Sequence, residues 1–249
     1  MSKVAIITGA SSGIGAASAI ELSRRGWSVV VNYSKSAPEA KQVAGKCKDA
    51  IVVQADVAED AECRKLAQAA LDKWGRIDAL VNNAGTTKHV KHADLDGLQA
   101  DDFLRIYRLN VVGPFQMVRA CAPALKSSHG AVVNVSSVAA LLGTGSSLAY
   151  AASKAALNAM TYSLARSLGP EVRVNAVCPG YVDTPWHANA LGKEKAGQAA
   201  AHYASMVPLK DFARPEDVAE VIAWLIEGGR QVTGETIFVD GGAHIQPPR

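Results

Sequence analysis

Seven short apolar runs punctuate this chain: Val4–Thr8, Ser28–Asn32, Ala50–Gln54, Ala79–Val81, Ala131–Ser136, Val172–Val177 and Thr236–Val239. They are rich in β-branched residues and do not alternate apolar with polar; Val29-Val30-Val31 is the plainest case. A strand that is apolar on both faces must be covered on both faces, which is the condition of a parallel sheet between two helical layers. Helix-length segments separate the runs: Gly15–Arg25, Pro38–Lys48, Asp60–Trp74, Asp101–Ser127 with a break, Ala149–Leu168 and Pro215–Glu227. With right-handed crossovers this rhythm predicts an α/β chain built on a doubly wound, seven-stranded parallel sheet flanked by helices. Its 249 residues suit one domain spanning 1–249, with no internal repeat or linker. The one long irregular piece runs from about 185 to 212 and reads as a substrate-binding loop or lid.

Composition excludes several classes. Apolar residues at 49% and charged ones at 20% argue against disorder. A net charge of +3, from 26 basic and 23 acidic residues, is too balanced for nucleic acid or an anionic membrane as partner. Cys47, Cys63, Cys121 and Cys178 are scattered and read as free thiols in a reducing compartment. The first residues carry no charged and apolar leader pattern, so a cytoplasmic location is expected. No metal is expected. His89 and His92 have ligand-like spacing but no third ligand nearby, and read as surface histidines.

Thr8-Gly-Ala-Ser-Ser-Gly-Ile-Gly15 follows the first strand and opens a helix. Gly9, Gly13 and Gly15 let backbone approach a ligand where a Cβ would collide. The free N–H groups and positive dipole end of the helix suit a diphosphate. The alternative is a tight turn without a ligand. Asp56 can accept a hydrogen bond from an adenine amino group, or can cap the turn before Glu59-Asp60. In Val81-Asn-Asn-Ala-Gly85, Asn82 and Asn83 can satisfy backbone groups at strand ends, and Gly85 permits close approach to a ribose or base.

Tyr150-Ala-Ala-Ser-Lys154 lies in an Ala-rich helical stretch that puts Tyr150 and Lys154 on one face. A neighbouring ammonium stabilises phenolate and lowers a tyrosine pKa, allowing proton exchange with a substrate. Ser137 follows the fifth strand, at the carboxyl edge where such sheets bind ligands, and can donate to the same carbonyl oxygen. Ser136 points to the other side of the strand and reads as structural. Asn110 precedes Pro114 by four; the proline lacks an N–H, which frees the Asn110 carbonyl in a kinked helix and makes it a candidate water site. The alternative is a kink that only shapes the helix.

Taken together, these residues resemble the classical short-chain dehydrogenase/reductase family, through Thr8–Gly15, Asn82-Asn-Ala-Gly85, Asn110, Ser137, Tyr150-x-x-x-Lys154, Pro179-Gly180 and Val239-Asp-Gly-Gly242. The resemblance spans essentially the whole chain and implies a single Rossmann-fold domain. It implies Tyr150 as general acid/base, Ser137 polarising the carbonyl, Lys154 lowering the tyrosine pKa and holding a nicotinamide ribose, and Asn110 holding a relay water. It implies further cofactor contacts at Ser11, Ser12, Ile14, Tyr33, Val57, Asn83, Ala84 and Gly85. Pro179, Gly180 and the Val182 backbone should border the nicotinamide, and Thr184 the diphosphate. The reaction implied is hydride transfer between a nicotinamide and a ketone or secondary alcohol.

No acidic residue follows the second strand, where a ribose 2′-hydroxyl would be bound. Asn32 and Ser34 can hydrogen-bond a 2′-phosphate and Lys35 can supply charge, so NADP(H) is expected, with NAD(H) as the alternative; Ser12 stands where many NADP-dependent relatives carry a cation. The closest-looking subgroup is the 3-oxoacyl-[acyl-carrier-protein] reductases together with glucose dehydrogenase-like enzymes. Lys126-Ser127-Ser128-His129-Gly130 and the short Gly169-Pro170-Glu171 lack the arginines such reductases carry, which argues against acyl carrier protein as partner unless Lys126 and Arg173 compensate. Trp186, His187, Tyr203 and Met206 suit an apolar or ring-shaped ketone at the mouth, or else pack the lid onto the body. Ala151, Ala152, Ala155, Ala156 and Ala159 permit close helix packing, and the resemblance implies a homotetramer. Alternatives are a 3-oxoacyl-[acyl-carrier-protein] reductase, a non-enzymatic nucleotide sensor that kept the fold, and another Rossmann-type enzyme such as a methyl transferase.

Overall fold

The computed structural model describes residues 2–245; the remaining ends of the 1–249 span lie outside the described residues. Seven parallel strands, β1 (Val4–Ile7), β2 (Ser28–Tyr33), β3 (Ala50–Gln54), β4 (Ala79–Asn82), β5 (Ala131–Val135), β6 (Arg173–Pro179) and β7 (Thr236–Val239), form one sheet in the order 3-2-1-4-5-6-7. The chain reverses its direction of growth between β1 and β4, where Ile7 pairs with Val31 on one side and Val81 on the other. Ligands gather at such a switch point, beyond the carboxyl ends of the strands.

The absence of alternation has a direct cause. Ile6, Val30, Leu80 and Val132 enter one hydrophobic cluster, with Leu66, Met117 and Leu125. Their neighbours Ile7, Val29, Val31, Val81 and Val133 enter another on the opposite face, with Leu22, Ile222 and Leu225. The first cluster is roofed by α3 (Asp60–Trp74), α5 (Gly113–Ser128) and α7 (Leu148–Leu168). The second is roofed by α1 (Gly13–Arg24), α2 (Ala37–Ala44) and α10 (Pro215–Glu227). Each buried Val, Leu or Ile side chain contributes about 1.5–3 kcal/mol of transfer free energy, which outweighs the weak helix and strand propensities.

Element boundaries fall within a few residues of expectation, with two substantive differences. The stretch 185–212 is not irregular: it forms α8 (Pro185–Leu191) and α9 (Lys193–Met206), joined at Gly192. Few apolar residues recur at helical spacing there, so periodicity gave no signal. The break in the helical stretch 101–127 is a π-helical turn, Arg108–Val112, between α4 (Ala100–Tyr107) and α5. A short helix α6 (Ala139–Leu142) also follows β5. All four cysteines are free thiols. No described helix is long and apolar enough to cross a membrane.

Candidate active site

A cavity of about 1070 Å³ runs along the carboxyl edge of the sheet. One end holds the glycine turn. Gly9 has φ +61°, and a Cβ there would stand 2.9 Å from Ala84 Cα, so only glycine fits. Thr8 and Asn83 weld this turn to the end of β4. The Thr8 hydroxyl accepts from the backbone N–H groups of Asn83 (2.9 Å) and Ala84 (3.0 Å), while Asn83 Nδ2 donates to the carbonyls of Thr8 (2.9 Å) and Gly9 (3.0 Å). Ser12 makes no side-chain cap at the start of α1, and no acidic residue occupies its first turn. The orphan N–H groups are therefore left to face an anion.

Ser11, Ser12, Gly13, Ile14, Tyr33, Ser34, Asp56, Val57, Ala84, Gly85, Val182 and Thr184 all line the cavity. Two expected residues behave differently. Gly15 does not line it: a Cβ there would collide with Asn83 Nδ2 and the Gly9 carbonyl, so this glycine serves the packing of α1 on the turn. Asn32 reaches the cavity wall but its amide is already committed. Its Oδ1 accepts from Gly9 N–H (3.1 Å) and its Nδ2 donates to Ala55 O (3.0 Å), Val53 O (3.3 Å) and Tyr33 O (3.3 Å). An amide spent on four backbone groups is not free for a phosphate, which leaves Ser34 and Lys35, both exposed on the rim. Asp56 caps the turn, its Oδ1 accepting from Ala58 N–H (3.0 Å), and it is exposed at the cavity wall.

The other end holds Ser137, Tyr150 and Lys154. The buried hydroxyl of Ser147 accepts from Tyr150 N–H, fixing the first turn of α7. Lys154, 4% exposed, donates from Nζ to Val135 O at 2.7 Å and stands 5.7 Å from the Tyr150 ring centroid. Burial pushes Tyr150 up to about 12, only partly opposed by the Ser137 hydroxyl, and pushes Lys154 down to about 8. The expected lowering of the tyrosine by the lysine does not emerge: desolvation leads and only the Ser137 hydroxyl opposes it.

Asn110 lies in the π-helical turn, fully buried and outside the cavity lining. Its Oδ1 accepts from Thr86 N–H (2.8 Å), and its Nδ2 donates to Thr86 O (3.0 Å) and Ser153 Oγ (3.0 Å). Ser153 in turn donates to Tyr150 O at 2.7 Å. Asn110 therefore clamps the loop after β4 to α7. Ser153 and Thr86 escaped the sequence reading; the one local signal for Ser153 is its place one helical turn after Tyr150. Ser136 donates to Lys154 O (3.2 Å), as expected of a structural residue.

Over this end lies Trp186, its ring 6.3 Å from that of Tyr150. Tyr203 Oη donates to Asp240 O (2.6 Å) and underlies Gly180, where any Cβ would collide with it; this residue packs α9 onto the body. Met206 lies outside the cavity and is exposed. His187 stacks on Tyr181 with ring centroids 4.2 Å apart. His89 is a surface histidine as expected, exposed where it borders the cavity, whereas His92 is half-buried, its Nε2 without a partner among the described residues. Arg173 is engaged within the fold. Its guanidinium donates to Leu225 O (2.6 Å), Ile226 O (2.9 Å) and Gly229 O (3.4 Å), capping the carboxyl end of α10.

Comparison with known proteins agrees with this layout. A family model described as enoyl-(acyl carrier protein) reductase matches residues 9–244. Ketoacyl reductase 2 of the granaticin polyketide synthase of Streptomyces violaceoruber is named among the relatives, 43% identical over 97% of this chain and 96% of its own. A 3-oxoacyl-[acyl-carrier-protein] reductase of Thermotoga maritima is 36% identical over 98% of both chains. A solved structure described as a short-chain dehydrogenase/reductase from Burkholderia xenovorans superposes with a TM-score of 0.92 at 39% identity, covering 98% of this chain and 99% of that one. The ligand-free aldohexose dehydrogenase of Thermoplasma acidophilum superposes at 0.88 with 28% identity, covering 100% and 96%.

Proposed function

Because this chain belongs to the short-chain dehydrogenase/reductase family, we propose that it is an NADP(H)-dependent oxidoreductase interconverting a ketone and a secondary alcohol. The observation that carries this reading is that Ser137, Tyr150 and Lys154 line one cavity together with a glycine cradle. The cradle fits a dinucleotide: a side chain at Gly9 would strike Ala84, and one at Gly85 would stand 3.4 Å from Asn110 Oδ1 and 3.8 Å from Lys154 Nζ. A bound nicotinamide supplies or accepts the hydride.

The remaining steps belong to the chain. Glycine-turn N–H groups hold the diphosphate, and Gly85, Pro179 and Gly180 leave room for the ribose and ring. Ser137 orients the carbonyl oxygen and Tyr150 gives it a proton as the hydride arrives. The ammonium of Lys154, fixed by Val135 O, stabilises the phenolate left behind. Asn110 acts through Ser153 by fixing the turn of α7 that bears Tyr150. The absence of an acidic residue after β2, with Lys35 and Ser34 on the rim, supports NADP(H) over NAD(H).

A second reading, reduction of a 3-oxoacyl thioester, is supported by the ketoacyl reductase relatives. The internal engagement of Arg173 speaks against a carrier-protein partner. Exposed Ala152, Ala155 and Ala159 on α7, beside exposed Phe103, Tyr107 and Phe115, support a homotetramer. The four free thiols support a reducing, cytoplasmic location.

The test is oxidation of NADPH or NADH at 340 nm against ketones, diketones and acetoacetyl thioesters, with Tyr150→Phe as control. The expected result is NADPH-dependent turnover that falls by about 100-fold or more in the variant, with nucleotide binding retained. Substantial residual turnover in Tyr150→Phe sinks the acid/base role.

A further inference from the structure

Two histidines stand in the wall of the cavity, on separate elements. His89 belongs to the loop after β4 and His187 to α8. The His187 ring is held flat against Tyr181, with planes inclined by 12°. Tyr181 is itself fixed: its hydroxyl donates to Ala196 O (2.8 Å), and the rings of Tyr203 and Phe212 lie 5.9 and 5.8 Å away. His89 lies in the same stretch of loop that Ser146 pins, by a 2.6 Å hydroxyl pair with Thr87 and by accepting from Val90 N–H (2.9 Å). Both imidazoles are thus carried on braced supports. Among the described residues the one histidine ring engaged in a hydrogen bond is His244, so the nitrogens of His89 and His187 have no protein partner. Partial desolvation lowers both from the ordinary histidine value, although His89 is exposed at the rim, and the neighbouring His89 lowers His187 further against the opposing pull of Asp183. Near pH 7 they are neutral, each offering one donor and one acceptor.

Resting on the reductase reading, we propose that His89 and His187 form a polar clamp for a second oxygen of the substrate, beyond the carbonyl held by Ser137 and Tyr150. The substrate class is then a neutral oxygenated ketone, a hydroxyketone or diketone, rather than a purely apolar ring ketone. Thr144, Ser146 and Asn189 also line the cavity and add to its polar character. A site built to hydrogen-bond an oxygen rejects analogues that lack it, because its polar groups are left unpaired on binding.

The experiment compares cyclohexanone with its 2-, 3- and 4-hydroxy derivatives and with a hydroxytetralone and its parent tetralone. The variants are His89→Leu, His187→Leu, the double variant, and His187→Gln as conservative rescue. The expected result is a preference in kcat/KM of about tenfold or more for at least one hydroxyketone, falling towards unity in the double variant and partly restored by Gln. The imidazole resonances of His89 and His187 should shift on titration with that hydroxyketone in the presence of NADPH. Reduction of ketones with no hydroxyl preference, or a preference that survives the double variant, overturns the clamp and leaves the reductase standing. Shifted imidazole signals without turnover of any ketone uphold the clamp and overturn the reductase. Neither turnover nor shift overturns both.

Discussion

Lys154 Nζ donates to Val135 O at 2.7 Å, so the ammonium of α7 is moored to the last residue of β5. The contact satisfies one of three donors on a side chain that is 4% exposed. The lysine is therefore held where its charge is expensive, and its pKa falls to about 8.

That fall has a measurable consequence for stability. The folded value lies below the ordinary 10.5, so on raising the pH the folded chain loses this proton first. The unfolded state binds more protons between about 8 and 10.5, and this group's contribution to stability rises with pH across that window. At pH 7 the buried charge costs about 3 kcal/mol. Lys154→Met removes that cost but leaves Val135 O unpaired, at about 1–3 kcal/mol. The variant should be at least as stable as the parent at pH 7, lack the rise between pH 8 and 10.5, and lose most of its turnover. Denaturant melts across that range check it, and an unchanged pH slope refutes the assignment.

Gly180→Ala should be costly out of proportion to one methyl group. Its Cβ would collide with Tyr203 Oη and stand 2.9 Å from Asp240 Cβ. The overpacking should cost about 1–3 kcal/mol, and the displaced Tyr203 should loosen α9. Tyr203→Phe alone should cost about 1 kcal/mol through the lost bond to Asp240 O. The double variant should lose less than the sum of the two, since each change relieves the other. Strict additivity in thermal melts would show that the two residues do not meet.

Arg173→Met should damage the fold and spare substrate choice. Three carbonyls at the end of α10 lose a cationic donor, at about 2–4 kcal/mol. The ratio of kcat/KM for a carrier-linked thioester to that for a short free thioester should not move. A selective loss of the carrier-linked substrate would restore Arg173 as a docking residue.

Lys35→Glu should lower the preference for NADPH over NADH by about tenfold or more, because a carboxylate repels a 2′-phosphate and accepts from a 2′-hydroxyl. Kinetics with both nucleotides decide it, and an unchanged ratio makes Lys35 a solvated rim residue. Asn32→Ala should instead lower stability with either nucleotide, since its amide holds the glycine turn.

The strands were legible because covering both faces of a sheet leaves a mark on every residue of a run: Ile6 and Ile7 point to opposite clusters and both must be apolar. The meeting of Tyr150 and Lys154 in the cavity was legible because they lie one helical turn apart, within the reach of local spacing. What stayed hidden depends on contacts distant in the chain. Arg173 finds its carbonyls about 50 residues away on α10, and Asn32 finds Gly9 and Ala55 across β1 and β3. The two helices of 185–212 are held by a few aromatic anchors, Tyr181 and Tyr203, instead of a continuous apolar stripe.

The π-helical turn Arg108–Val112 makes the length of its segment a fixed quantity. Gly113 N–H reaches Arg108 O, five residues back, so one residue is accommodated that an α-helix would not hold. Inserting a further residue here would swing everything downstream by about 100° about the helix axis, and deleting one would close the wide turn that carries Asn110. Met117, Cys121 and Leu125 would rotate out of their layer, or Asn110 would turn away from Thr86 and Ser153. The segment should therefore accept many exchanges of side chain while refusing any change in count, a constraint on insertions and deletions that no single residue in it displays.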